Sequence, residues 1–421
     1  MKKNFKPAFK IGYTALFCSM LLLCVIFCFY YTRLPDKFYL SGNAPLNIRT
    51  FFTITAEYDG ITGEDALQAI SSTDEEIIKI QEVRLKLFGL IPIKEVQLER
   101  IDRPVLVPCG TPFGIKIKTE GAVVTGFGDI EGNLSPARQA GIRTGDIIKS
   151  VNGIEIEKSR DITRALQLTD GTAVVEVVRD NKEMTFEIDP VKSRRDNLYR
   201  LGVWVRVSSA GIGTMTFYDP ATGMFAGLGH GVCDADTGRL LPLLSGEAVS
   251  VTISGIVKGR PGDPGELTGT FLSRVPIGTI YRNTELGVFG RMNYSPTLDS
   301  GIPMAFKQEV RTGPATILTT ISGSTPKEYE IFIERLDFSD SNQVKNMIIR
   351  ITDDELLSRT GGIVQGMSGS PIIQDGMLAG AVTHVFISDS ARGYAIFAEN
   401  MYRKMNEISQ ETREPAISAA A

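Results

Sequence analysis

Apolar and polar residues divide the chain into an N-terminal apolar run and a long body in which short apolar stretches alternate with polar ones. The run from Ile11 to Thr32 contains no charged residue. As an α-helix it would rise about 33 Å, enough to cross the hydrocarbon core of a bilayer. Beyond it, period-two alternation rich in Val, Ile, Thr and Phe predicts β-strands. The chain is therefore expected to be mainly β, with one N-terminal helix.

The apolar run predicts a membrane anchor. Four lysines precede it and two tyrosines lie at its far end, where an aromatic belt belongs. The positive-inside rule then places the N-terminus in the cytoplasm and the body outside, so residues 1–33 form the cytoplasmic N-terminus and transmembrane segment. A cleaved signal peptide is the alternative.

The body divides further by pattern. Residues 34–105 form a β-rich segment without recognisable chemistry, and residues 403–421 form a polar C-terminal tail that is expected to fray. Between them, residues 193–402 contain many short apolar stretches separated by glycine-rich turns. That spacing favours a barrel or a sandwich.

Residues 106–192 carry a more specific pattern. The stretch "SPARQAGIRTGDIIKSVNGIEI" begins with a capped short helix at Ser135 and contains the hairpin signal Asn152-Gly153. Apolar residues at helical spacing then predict a helix over 159–168.

This stretch resembles a PDZ domain of the bacterial protease type. The resemblance implies that Phe113, Gly114 and Ile115 form the carboxylate-binding loop. The strand that follows would pair with an incoming peptide by strand addition.

Composition excludes several classes of function. The net charge of -4 gives no reason to expect a nucleic-acid partner or a basic face for a membrane surface. Three of the five cysteines lie in the apolar run, so no Cys/His metal cluster and no cofactor is expected. The chain contains two histidines, His230 and His384, which narrows the search for a general base.

The sequence "GGIVQGMSGSPIIQDG" from Gly361 to Gly376 predicts a nucleophile. Its G-x-S-G-x-P pattern resembles that of chymotrypsin-like serine peptidases, which implies a double β-barrel. By that match Ser368 is the nucleophile, and the N–H groups of Gly366 and Ser368 form the oxyanion hole. Ser370 is the rival nucleophile, and Met367 replaces the acidic residue that trypsin-like enzymes use on activation.

His230, in the glycine-rich corner "GLGHGV", is the expected base. His384 lies in an apolar stretch and reads more readily as a core residue, with a specificity pocket as the weaker alternative. The acid that orients the base stays open. Asp353 and Asp354 are candidates, although both fit the start of a capped helix that ends at Gly361. The remaining candidates are Asp299, Asp234 and Asp236.

The anchor, β segment, PDZ pattern, "GLGHGV" and the serine motif together resemble the stage IV sporulation protein B (SpoIVB) peptidase family. The resemblance implies the triad His230, Asp353 and Ser368 in a signalling serine endopeptidase that cleaves itself. Its implied substrate is the membrane-bound regulatory protein of the pro-sigma-K processing complex. The implied location is the space between the forespore and mother-cell membranes, with release by cleavage.

Two alternatives differ in class or scope. A membrane-tethered PDZ scaffold would bind peptides without cutting them, and an envelope quality-control protease would share the chemistry but accept many substrates. Neither alternative requires a metal or a cofactor.

Overall fold

The N-terminal apolar run is helical, as its composition predicts. The computed structural model describes residues 6–418 apart from 43, 49, 59–60, 63–79, 169–170 and 294–300. The helices are α1 Lys6–Arg33, α2 Pro136–Gln139, α3 Ser159–Gln167, α4 Asp354–Thr360 and α5 Ala398–Ser418.

Strands make up most of the rest. They run in chain order as β1 Lys37–Leu40, β2 Ile54–Tyr58, β3 Ile61–Thr62, β4 Ile80–Leu87, β5 Ile91–Arg100, β6 Val105–Pro108, β7 Pro112–Phe127, β8 Ile147–Val151, β9 Ile154–Glu155, β10 Ala173–Arg179, β11 Lys182–Ile188, β12 Val191–Lys192, β13 Tyr199–Arg200, β14 Val203–Tyr218, β15 Met224–Gly227, β16 Leu243–Val257, β17 Glu266–Thr284, β18 Gly287–Met292, β19 Ile302–Pro303, β20 Gly313–Thr319, β21 Lys327–Leu336, β22 Met347–Ile351, β23 Pro371–Gln374, β24 Met377–Phe386 and β25 Asp389–Phe397.

The β-rich segment after the helix is a five-stranded sheet of order β1-β5-β4-β2-β3. Its core takes in the end of α1, since Tyr30 and Leu34 are buried among its apolar side chains. The helix and the sheet after it therefore share one core. The segment also contacts the body, where Gln308 donates its side-chain N–H to the carbonyl of Tyr39 (2.6 Å).

Two closed six-stranded barrels form the centre of the molecule. In the first, β7-β16-β17-β18-β15-β14 close into a ring because β14 also pairs with β7. In the second, the order is β20-β21-β22-β25-β24-β23. The predicted fold class, mainly β with a PDZ domain and a double barrel, is confirmed.

The PDZ domain is inserted into the first barrel. Strand β7 leaves that barrel after its first half, and the chain returns to it through the second half of β14. Between these points lie α2, α3 and the β8-β10-β11 sheet, packed around Ile148, Val175 and Leu166. Local predictions hold here. Ser135 caps α2 through Arg138 (3.2 Å), for example.

Phe113, Gly114 and Ile115, predicted to form the carboxylate-binding loop, do not lie at an open edge in this structure. These residues belong to the first barrel, where they pair with β14 on one side and β16 on the other. Phe113 and Ile115 are 1% and 3% exposed, and both lie in the barrel core. Because both edges are already hydrogen-bonded, no incoming strand can add to them.

The C-terminal segment also differs from the prediction. Residues 403–418 continue α5, and residues 419–421 lie outside the described residues. Met401, Met405 and Ile408 are buried against both barrels, at the spacing of one helical face. Burial of this face, which the polar composition conceals, holds the first part of the segment against the barrels.

Candidate active site

A cavity of about 650 Å3 lies where the two barrels meet. Its wall includes Gly366 and Ser368 from the loop before β23, His230 from the loop after β15, and His384 from β24. Residues far apart in sequence thus converge on one cleft, and they include both histidines of the chain.

The loop that carries Ser368 is held by the first barrel. Thr214 in β14 donates its N–H to the Ser368 carbonyl (3.0 Å) and its hydroxyl to the Gly366 carbonyl (2.8 Å). Gln365 forms a parallel bridge with Glu266 at the start of β17. Both strands therefore fix the position of this loop relative to the cavity.

Two glycines in this loop are required by geometry. Gly366 and Gly369 have φ angles of +97° and +96°, in a region that residues with a side chain rarely adopt. A Cβ on Gly369 would lie 2.0 Å from the Thr214 carbonyl oxygen and 2.6 Å from the Leu228 nitrogen. Glycine lets the loop approach the first barrel this closely.

The N–H groups of Gly366 and Ser368, predicted to form the oxyanion hole, are free to bind a substrate oxygen. Within the described residues neither N–H makes a hydrogen bond, and both residues line the cavity. The intervening Met367 is different, because its N–H donates to Val364 (3.1 Å) and its side chain is buried in the second barrel core. Two unpaired donors beside a hydroxyl can stabilise a developing oxyanion.

The two candidate serines have different environments. Ser370 is fully buried, and its hydroxyl lies 2.7 Å from the Met367 carbonyl and 2.8 Å from the Thr319 hydroxyl. Ser368 is half-buried and lines the cavity, with its hydroxyl donating to the Thr383 carbonyl (2.7 Å). Only Ser368 of these two is placed to meet a substrate.

The position and charge state of His230 suit a general base. Its Nδ1 lies 2.9 Å from the Gly231 carbonyl, and if Nδ1 carries the proton, the lone pair of Nε2 remains free. Burial lowers the pKa of His230 below the usual 6.5, and the Gly231 carbonyl opposes this shift only in part. The imidazole is therefore neutral near pH 7.

His384 is not the core residue that its apolar strand suggested. Its side chain is exposed to the cavity, and its ring centroid lies 4.8 Å from that of His230. Desolvation, then the neighbouring His230 and Lys345, lower its pKa to about 4. The two rings form a neutral pair beside Ser368.

Asp353 does not reach this cavity. Its carboxylate caps α4, accepting from the N–H of Leu356 (2.9 Å) and from the N–H of Glu330 (3.5 Å). Asp353 is not among the cavity-lining residues. The Gly231 carbonyl, and not Asp353, lies against Nδ1 of His230. The helix-cap alternative is therefore the one that this structure supports.

The other candidate acids are placed as follows. Asp234 and Asp236 both form ion pairs with Arg206, at 2.6 and 2.7 Å. Asp354 lies in the first turn of α4. Asp299 lies outside the described residues.

The site includes two further residues that the sequence analysis did not predict. Glu285, in the turn between β17 and β18, is the carboxylate among the cavity-lining residues. Asn283 accepts from the Val232 N–H (2.8 Å) and donates to the carbonyls of Val232 and Leu241 (both 2.9 Å), so it fixes the loop that carries His230. A lone Asn or Glu near a hairpin turn has no distinguishing pattern in sequence.

Comparisons with known proteins agree with this geometry. Residues 197–402 match the family model "SpoIVB peptidase S55", and residues 134–180 match a PDZ domain model. The search of curated proteins found no match.

Solved structures give weaker likenesses. The inactive form of the Rv3671c protease is 16% identical over 47% of this chain and 84% of that chain, with a TM-score of 0.28. The active form, from M. tuberculosis, is 16% identical over 48% and 74%, with a TM-score of 0.27. The PDZ domain of an SdrC-like protein from Listeria monocytogenes is 15% identical over 20% and 87%, with a TM-score of 0.18.

The resemblance found in the sequence is thus confirmed by family models for both regions. Residues 197–402 thus match the SpoIVB S55 peptidase family, and a PDZ domain is built into the first barrel.

Proposed function

We propose that the chain is a signalling serine endopeptidase in which Ser368 is the nucleophile and His230 the general base. The observation that carries this proposal is the convergence of both side chains, with the free N–H groups of Gly366 and Ser368, on one cavity between the barrels. Nucleophile, base and oxyanion donors are the parts that acyl transfer requires.

The chemistry follows from these positions. Before attack, the Ser368 hydroxyl exchanges the Thr383 carbonyl for His230 Nε2. Its oxygen then bonds to the substrate carbonyl carbon while its proton passes to Nε2. The oxyanion accepts from the N–H groups of Gly366 and Ser368, each of which is expected to contribute about 10²-fold or more in rate. The imidazolium protonates the leaving amine, and water hydrolyses the acyl-enzyme by the reverse route.

Ser368→Ala tests the proposal, with Ser370→Ala as the matched control two residues away. In the full chain, we expect self-processed fragments and labelling by a fluorophosphonate to disappear in the first variant and persist in the second. Thermal unfolding of both variants separates lost chemistry from lost folding. Fragments that persist in folded Ser368→Ala would refute the assignment and favour the PDZ scaffold.

The family match also supports a more specific role. We infer that the enzyme cleaves itself and the regulatory protein of a membrane metalloprotease complex, which starts pro-sigma-K processing. A digest of a peptide library distinguishes this from envelope quality control, since a signalling enzyme cuts few sequences and a quality-control enzyme cuts many.

The location follows from the same reasoning. Within α1, the apolar stretch Tyr13–Arg33 is long enough to cross a membrane. We propose that it anchors the chain, with the lysine-rich end in the cytoplasm and the body between the forespore and mother-cell membranes.

A different part of the PDZ domain is proposed to hold the peptide. The first half of β14, Val203–Arg206, pairs with β7 along one edge, and Gln167 at the end of α3 donates to the Tyr199 carbonyl (3.4 Å). We propose that a peptide adds to the other edge of β14, in the groove beside α3, with Gly202 (φ +71°) in the loop that receives its carboxylate.

A further inference from the structure

The body carries an exposed apolar surface beside the end of α1. Phe51, Phe88 and Leu90, here called the apolar rim, are 92%, 46% and 80% exposed. Phe88 and Leu90 lie in the turn between β4 and β5, and Phe51 lies in the loop before β2. Hairpin turns are usually built from Gly, Asn, Asp or Ser, so a largely exposed Leu90 next to a partly exposed Phe88 is unusual in this turn.

The backbone of this turn makes the exposure more informative. Phe88 has a φ of 54°, a left-handed conformation that is uncommon for a bulky side chain. Its N–H donates to the Thr53 carbonyl (2.9 Å), which ties the turn to the loop that carries Phe51. Turn and loop therefore present their aromatic side chains together.

Aromatic contacts join the rim to the helix. The ring centroid of Phe52 lies 4.9 Å from that of Phe51, 5.5 Å from that of Phe88 and 6.4 Å from that of Tyr30. The backbone N–H of Phe52 also donates to the Tyr30 hydroxyl (3.1 Å). Tyr30 is 5% exposed, within the core of the β segment.

The same core also covers part of the apolar span. Ile26 and Phe27 pack against it, although both lie inside the Tyr13–Arg33 stretch. Ile26 lies seven positions before Arg33, a rise of about 10 Å along a helix. The β segment therefore overlaps the outer end of the span instead of standing clear of it. If α1 crosses a bilayer, the residues packed around Tyr30 lie at the depth of its interface.

We propose that the apolar rim inserts into the membrane interface next to α1 and holds the body against the lipid surface. The occupant is the bilayer, because the rim is continuous through Phe52 and Tyr30 with a helix of membrane-spanning length. Phe and Leu are among the side chains that interfacial elements bury at the boundary between headgroups and acyl chains. This inference rests on the proposed anchor and adds a second point of contact to it.

Tryptophan fluorescence of the full chain in liposomes tests the proposal. The chain contains one tryptophan, so Trp204→Phe provides a silent background. Leu90→Trp and Phe51→Trp are placed in it, and Val275→Trp, at a 72% exposed apolar position of β17, is the matched control. We expect brominated phospholipids to quench the two rim tryptophans several-fold more strongly than the control, and aqueous iodide to do the reverse.

Flotation of the same liposomes reads the anchor separately. Protein that does not float refutes the anchor, and the rim inference with it. Protein that floats while iodide quenches the rim tryptophans as strongly as the control refutes the rim inference alone. Rim tryptophans shielded from both quenchers, with shielding lost on dilution of the protein in the membrane, would assign the surface to a second copy and also overturn it.

Discussion

Asp353 offers the sharpest test of the site, because the helix-cap role seen here and the triad role implied by the family differ for one conservative substitution. Asp353→Asn preserves a side-chain oxygen that can accept from the Leu356 N–H, at present 2.9 Å away. Asn caps helices about as well as Asp, so the variant loses only the charge at the helix N-terminus, roughly 0.3–1 kcal/mol. Asp353→Ala loses the cap itself, about 1 kcal/mol.

A residue that orients the catalytic imidazole behaves differently. Replacing an orienting Asp by Asn in a serine peptidase lowers kcat by about 10⁴, which is roughly 5.4 kcal/mol of transition-state stabilisation. The cap role predicts a change in kcat/KM for Asp353→Asn within about fivefold, since even the whole of about 1 kcal/mol corresponds to that range. The two readings therefore differ by more than three orders of magnitude.

The assay is cleavage of a fluorogenic peptide taken from the self-processing site, with thermal unfolding measured on each variant. His230→Gln is the positive control for lost chemistry. Glu285→Gln tests the carboxylate that lines the cavity. If folded Asp353→Asn loses activity as His230→Gln does, the arrangement of the base described here is wrong and Asp353 must move to the imidazole in the active enzyme.

Two further predictions test the same cavity. Burial lowers the pKa of His230, so its neutral form, and the activity that needs it, persists as pH falls below 6.5. Activity is then lost only when the pH falls through this lowered pKa. An acid limb of kcat/KM above 6.5 would instead indicate a carboxylate partner, which raises the pKa. Gly369→Ala places a Cβ 2.0 Å from the Thr214 carbonyl at a φ of +96°, so we expect lost cleavage and destabilisation by more than about 1–2 kcal/mol, whereas Gly126→Ala, with open space around it, should change stability by less than about 1 kcal/mol in an unfolding titration.

Features set by neighbouring residues were predictable from the sequence. The Asn152-Gly153 turn adopts φ angles of 52° and 74°, as its hairpin type requires, and α3 occupies the stretch with helical spacing. The serine and histidine corners were found because glycine is needed where the backbone takes a positive φ or approaches another strand closely. Such requirements leave a signature within a few residues.

Features set by distant partners were not predictable. The period-two pattern of "TPFGIKIK" indicates a strand but does not name its neighbours, and Phe113 pairs with Gly213 and Ser250, about a hundred residues away or more. The contacts of the Asp353 carboxylate could not be predicted either. The position of Asp353 in the sequence fits both a helix cap and a member of the triad. The family resemblance supplied the triad role, and only the contacts in three dimensions separate the two.

The insertion of the PDZ domain into a barrel strand explains how a bound peptide could influence the cavity. β14 is one strand from Val203 to Tyr218, and its pairing register with β7 shifts between Arg206 and Ser208, where it passes from the PDZ domain to the barrel. Further along, Thr214 makes the two hydrogen bonds that hold the loop of Ser368. If a peptide added to the first half of β14 changed the register at this shift, the change would pass along the same strand toward Thr214. We propose that the two bonds of Thr214 are the point at which occupancy of the groove acts on the loop of Ser368.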